Sequence, residues 1–186
     1  MKRLACLVLL LWMLGGCAAG AGNMEKAIDL RSRVQSAAQC SFDAQILADY
    51  GDMTYTFTLA CVADGQGNVD FTVTAPETIS GITGSLSSQG GKLTFGDVAL
   101  SFPMLAEKLI TPVGGPWVFY TALRGGNIKA VGNDGAYTRM TVNDSYADDA
   151  LTLDIYLDHS NVPVQADVIW ENRRILTMQI RNFQIG

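Results

Sequence analysis

Histidine is nearly missing from the chain: of 186 residues, only His159 is one. The four cysteines stand at positions 6, 17, 40 and 61, with no Cys-x-x-Cys pair among them, so a zinc site of the usual composition has no ligand set to draw on. The histidine itself lies in Leu157-Asp158-His159-Ser160-Asn161, a polar break between apolar stretches. Adjacent turn residues there do not aim at one another as a Ser-His-Asp triad must, and no catalytic residue is assigned. Basic clusters are missing too. Lysine and arginine number 13 against 18 acidic residues, and beyond Lys2-Arg3 only Arg173-Arg174 are adjacent, which argues against nucleic acid as a partner. Gly90-Gly91-Lys92 lacks the G-x-x-x-x-G-K-[ST] frame of a phosphate loop, and Asp148-Asp149 sit in a polar loop where acids are ordinarily solvated. No metal or cofactor is expected.

A long hydrophobic run is also lacking. The stretch Leu4 to Leu14 falls well short of the roughly 20 residues a helix needs to cross a bilayer. It follows the charged start Met1-Lys2-Arg3 and ends at Gly15-Gly16-Cys17, the three-part pattern of an export signal. Leu14-Gly15-Gly16-Cys17 resembles the bacterial lipobox, which implies cleavage before Cys17 and acylation of its thiol. Acyl chains contribute about 0.8 kcal/mol per buried CH₂, so two or three of them hold a protein durably on a membrane. The expected division is residues 1–16 as signal, 17–23 as lipidated tether and 24–186 as one domain on the extracytoplasmic side of the cell membrane. Loss of Lys2 and Arg3 with the signal leaves 11 basic against 18 acidic residues, about −7 for the mature body.

Periodicity organises the rest. Met24, Ala27, Leu30, Val34 and Ala37 recur at steps of three and four, predicting an amphipathic helix over 24–38 with Asn23 as its cap. From Cys40 the period falls to two, and about eleven strands are read between there and Phe183. Pro103 to Ile110 and Pro116 to Arg124 each open with a proline suited to a first helical turn and are read as two short helices. The class is α+β: a curved antiparallel half-barrel sheet of about 8–11 strands, with the N-terminal helix and the two mid-chain helices covering its concave face.

One sheet face carries a row of large apolar residues: Phe42, Ile46, Tyr55, Phe57, Leu59 and Phe71, joined by Trp117 and Phe119 from the second mid-chain helix. These residues line either a lipid cavity or an ordinary filled core, which look alike in sequence. A two-residue turn at Tyr50-Gly51 pairs positions whose numbers sum to 101. That register sets Cys40 opposite Cys61 within disulfide range and predicts a bond between them in an oxidising compartment.

The order of lipobox, amphipathic helix, long meander, mid-chain helices and closing hairpins resembles the LolA/LolB-type lipoprotein-localisation fold. Val69-Asp70-Phe71-Thr72-Val73 running into Pro76-Glu77-Thr78-Ile79-Ser80-Gly81-Ile82, with the ending Ile180-Arg181-Asn182-Phe183, is similar to the GerS-type germination lipoproteins of spore-forming bacteria. The first resemblance implies acyl chains held between sheet and helices. The second implies a non-enzymatic protein that binds a peptidoglycan amidase. With its own lipobox, the chain is expected to be a fixed partner or receptor on a membrane through lipidated Cys17, with pairing of two copies through exposed strand edges a further expectation.

Overall fold

The structure, a computed structural model, describes residues 18–186 apart from 50, 52, 104, 107, 108, 148 and 149. The signal and Cys17 lie outside the described residues, as do Met104, Asp148 and Asp149. Alternation of apolar and polar side chains becomes alternation of burial. In β1 (Gln39–Asp49) Cys40, Phe42, Ala44, Ile46 and Ala48 are all buried, and β2 (Thr54–Asp64) buries Phe57, Leu59, Cys61 and Ala63. The chain continues through β3 (Val69–Ala75), β4 (Thr83–Ser87), β5 (Gly90–Phe95) and β6 (Val98–Phe102). After a connection it returns through β9 (Asn127–Asp134), β10 (Tyr137–Asn143), β11 (Thr152–Leu157), β12 (Pro163–Trp170) and β13 (Arg173–Ile185).

These strands form one antiparallel sheet of 11 in the order β6-β5-β4-β3-β2-β1-β13-β12-β11-β10-β9, curved and unclosed. Two meanders therefore spread outward from the central pairing of β1 with β13, and the path from β6 to β9 must cross the whole sheet. It crosses as α2 (Gly115–Gly125), which buries Val118, Phe119, Tyr120, Ala122 and Leu123 against the concave face. The N-terminal helix α1 (Ala18–Ser36) lies beside α2 and β9 and buries Ala27, Leu30 and Val34. Its Arg31 donates to the backbone oxygens of Leu123 and Ala122 at 2.9 and 3.1 Å, and Gln35 donates to that of Arg124 at 2.8 Å. Carbonyls at the end of a helix run short of intrahelical donors; the Ala122 carbonyl also accepts the Gly126 N–H at 2.9 Å, and α1 supplies donors to this C-terminus of α2.

Three expectations change. Residues 18–23, expected as a flexible tether, are already helical. Asn23, expected as a cap, instead lies within the helix and donates to the Asn133 side chain at 2.8 Å. The expected helix over 103–110 is a pair of two-residue strands, β7 (Leu105–Ala106) and β8 (Leu109–Ile110). The Thr111 hydroxyl donates to the Pro103 carbonyl at 3.0 Å, so the segment's ends meet, whereas eight helical residues would hold them about 12 Å apart. The turn after β1 is longer than expected: Asp49 pairs with Thr54, Asp49 Oδ1 accepts the Gly51 N–H at 2.8 Å, and Gly51 takes a φ of +89° that side chains disfavour.

Two strand glycines are filled by aromatic rings from the neighbouring strand. A Cβ on Gly84 would stand 2.5 Å from Phe71 Cζ and 2.5 Å from the Lys92 carbonyl oxygen, and one on Gly91 would overlap the Phe102 ring. Gly84→Ala is therefore expected to cost about 1–3 kcal/mol in urea denaturation through overpacking. Gly132→Ala, on an open part of β9, is expected to stay within about 0.5 kcal/mol.

Candidate functional site

The expected apolar face is assembled, and most of it is filled. Phe42, Ile46, Phe57, Leu59, Phe71 and Phe119 all enter one buried core. Phe42 meets the ring of Phe119 edge-on at 5.4 Å between centroids, and Phe183 stands within 6.0 and 6.3 Å of the two, which closes the space between sheet and α2 at that level. Tyr55 lies at the rim beside Ala48 and is 43% exposed; its hydroxyl approaches Met53 Sδ at 3.2 Å. Trp117 is half-buried on the flank of α2.

The cysteine pairing is corrected by the register. The longer turn makes partner numbers sum to 103, so Cys40 stands opposite Ala63 and Cys61 opposite Phe42, and both thiols are free and buried. A slip of two residues keeps every side chain on its own face while changing its partner, so the face survived and the bond did not. Burial raises the Cys40 thiol, and at Cys61 burial, followed by the Asp43 carboxylate, drives the thiol far above its ordinary range. His159 is exposed in the turn between β11 and β12. Its neighbour Asp158 uses one carboxylate oxygen to accept the Ser160 and Val162 N–H groups at 2.8 and 3.0 Å, so the acid holds the turn. Among the described residues no group of three or more His, Cys, Asp or Glu side chains could hold a metal.

The feature that stands out lies at one end of the sheet. Following pairs across strands from buried Phe71, the inward face runs through Gly84 to Leu93 and Leu100. α2 covers it only in part. Phe95, Val98 and Leu100 are 66, 70 and 62% exposed on that same face. β6 is also an edge strand, with one side of its backbone unpaired in the sheet. Natural edges are usually blunted by charge, proline, a bulge or a covering element. The opposite edge follows this rule: β9 carries Lys129, a register shift breaks its pairing with β10, and α1 lies against it. β6 reads Val98-Ala99-Leu100-Ser101-Phe102, uncharged and in unbroken register with β5. Its pattern is that of an ordinary strand, and only its place at the edge makes it a surface.

A second feature lies along α2. Trp117 stands between two depressions. One of about 320 Å³ includes Pro103, Val118 and Leu151, and one of about 190 Å³ includes Gln66, Asn68 and Arg124.

No family model matches the sequence, and no curated protein matches it. Solved structures similar to the chain include a LolA superfamily protein from Nitrosomonas europaea, at 8% identity over 86% of this chain and 93% of that one, with a TM-score of 0.44. Another is the lipoprotein LppX of Mycobacterium tuberculosis, at 7% identity over 88% and 92%, with a TM-score of 0.40. A third is the CwlD amidase of Clostridioides difficile in complex with the GerS lipoprotein, at 11% identity over 88% and 95%, with a TM-score of 0.43.

Two buried thiols without a bond give a direct expectation. In protein lacking residues 1–17 and purified without reductant, alkylation under denaturing conditions should modify both Cys40 and Cys61, whereas native protein should react slowly at each. Recovery of a peptide linking 40 to 61 by mass spectrometry would overturn the register argument.

Proposed function

We propose that this chain is a non-catalytic lipoprotein, anchored through Cys17 on the outer side of a membrane, that acts by binding a protein partner through the β6 edge. The observation supporting the reading is the bare, uncharged apolar rim made by Phe95, Val98 and Leu100 beside an unpaired strand edge. An extended segment of a partner can continue the sheet there. Its backbone takes up the ladder of β6, and every second side chain joins the apolar face that α2 leaves uncovered. Backbone pairing supplies affinity, and the alternate pockets supply selectivity. A peptidoglycan amidase is the partner we propose, in keeping with the GerS-type resemblance of the sequence.

A carrier of acyl chains is the second reading, favoured by the depression of about 320 Å³ along Pro103, Trp117, Val118 and Leu151. That volume stands at the lower end of the range for ligand pockets. The filled Phe42–Phe119–Phe183 level keeps it from extending through the middle of the sheet.

Leu100→Lys and Val98→Lys separate the two readings. Both positions are exposed, so stability should hold within about 0.5 kcal/mol, whereas a charge on the edge should weaken capture of a purified cell-wall amidase from the same cell roughly tenfold or more. Light scattering of the free protein distinguishes pairing of two copies at the same edge. If no amidase is captured and acyl chains co-purify instead, the carrier reading replaces this one.

A further inference from the structure

The first half of α1 is joined to two hairpin turns at one corner of the sheet. The Asn23 amide donates to the Asn133 side chain at 2.8 Å, in the turn between β9 and β10, and the Asn161 amide, in the turn between β11 and β12, donates to the Lys26 carbonyl at 2.8 Å. Further along, Ala27, Leu30 and Val34 are buried in the core, and Arg31 and Gln35 hold the C-terminus of α2. The helix is fastened along its length, so its axis is fixed relative to the sheet.

Both turns are themselves held in shape. Asp158 accepts the Ser160 and Val162 N–H groups through one carboxylate oxygen and the Asn161 N–H through its carbonyl, at 2.8, 3.0 and 3.0 Å. In the other turn Gly135 takes a φ of +58°, and Asp134 pairs with Arg139 at 3.4 Å across the hairpin.

Little slack is left between this corner and the acylated end of the chain. α1 begins at Ala18, the residue that follows Cys17. Five helical rises separate Asn23 from Ala18 and one Cα step separates Ala18 from Cys17, which keeps Cys17 within about 12 Å of Asn23. The polar layer of one leaflet is itself roughly 5–8 Å deep. A coil in place of these residues would let the body turn freely about its anchor, whereas a helix confines the swing to the bonds of one residue.

We propose that the protein stands on the membrane with the β9–β10 and β11–β12 turns against the phospholipid headgroups. The inference rests on the anchoring through Cys17 proposed above and adds the orientation. The exposed residues of the two turns, Asn133, Asp134, Gly135, Ala136, His159 and Ser160, are small or polar, so they suit the headgroup layer and carry no apolar wedge to insert below it. On α1, exposed Glu25 and Asp29 outweigh Lys26, so geometry and not charge sets the contact. β6 forms the edge of the sheet opposite β9, which keeps the partner-binding rim on the far side from this corner.

The full chain, produced in a bacterium that processes lipoproteins and checked by mass spectrometry for acyl chains on Cys17, can be placed in phosphatidylcholine vesicles doped with a lipid that carries a nitroxide quencher on its headgroup. A fluorophore is attached at one new exposed cysteine in each of Ala136→Cys, Ser160→Cys, Thr78→Cys and Asp97→Cys, while Cys40 and Cys61 stay buried. Labels at 136 and 160 should lose most of their fluorescence, and those at 78 and 97 should keep theirs. A Gly/Ser segment of about ten residues inserted between Cys17 and Ala18 keeps the lipid but frees the body, and should make quenching at the four positions alike. Leu100→Lys should show the contrast of the parent, which separates this orientation from the edge reading. Equal quenching at all four positions of the parent, or a contrast that survives the insertion, would overturn the orientation and leave the anchor standing. Cys17 without acyl chains would overturn both.

Discussion

A sheet of 11 strands with one apolar face and no closure has to be covered, and this chain carries little with which to cover it. The pairing of β1 with β13 sets the problem. It joins the first strand to the last at the centre of the sheet, so both meanders grow outward and the two edges end far apart. The connection between those edges must then cross the concave face. That crossing is α2, whose Phe119 and Tyr120 are fully buried where the chain passes over the middle of the sheet. α1 adds cover on the β9 side and supplies Arg31 and Gln35 to the C-terminal carbonyls of α2. Among the described residues neither helix packs extensively against β6, and its inward Val98 and Leu100 remain largely in solvent.

The β6 edge and the depressions beside Trp117 thus have one origin. α2 is a short helix laid across a wide sheet, so it leaves apolar surface uncovered beyond one flank and a narrow gap along its length. In the gap, Tyr120 and Arg124 fasten the β2–β3 turn. At the edge, Leu93 and Phe102 still lean on the core while Phe95, Val98 and Leu100 pass beyond it. Among the described residues, neither brings a nucleophile and a base together in convergent geometry.

Much of the strand pattern was legible because alternation with period two is a local signal that survives small errors elsewhere. The turn after β1 shows how far that extends. A loop longer by two residues changed every partner along β1 and β2, separating Cys40 from Cys61, yet Phe42, Ile46, Phe57 and Leu59 stayed on the buried face because the shift was even. The segment 103–110 shows the opposite. Pro103 suits a first helical turn and a strand exit equally, and it took the Thr111 hydroxyl closing on the Pro103 carbonyl to decide between them.

By itself, then, the sequence determined the class, the places of the long strands, the second mid-chain helix and the identity of the inward residues, since all of these follow from periodicity and proline or glycine signals within a few residues. Tertiary structure alone decided which strand became the bare edge and whether the apolar row enclosed space or filled it. Strand order depends on pairings between residues more than a hundred positions apart, as in Cys40 opposite Ile185, and exposure at an edge is a property of what fails to arrive there. Val98-Ala99-Leu100-Ser101-Phe102 would read the same in the middle of a sheet. Its meaning comes from having a neighbour on one side only.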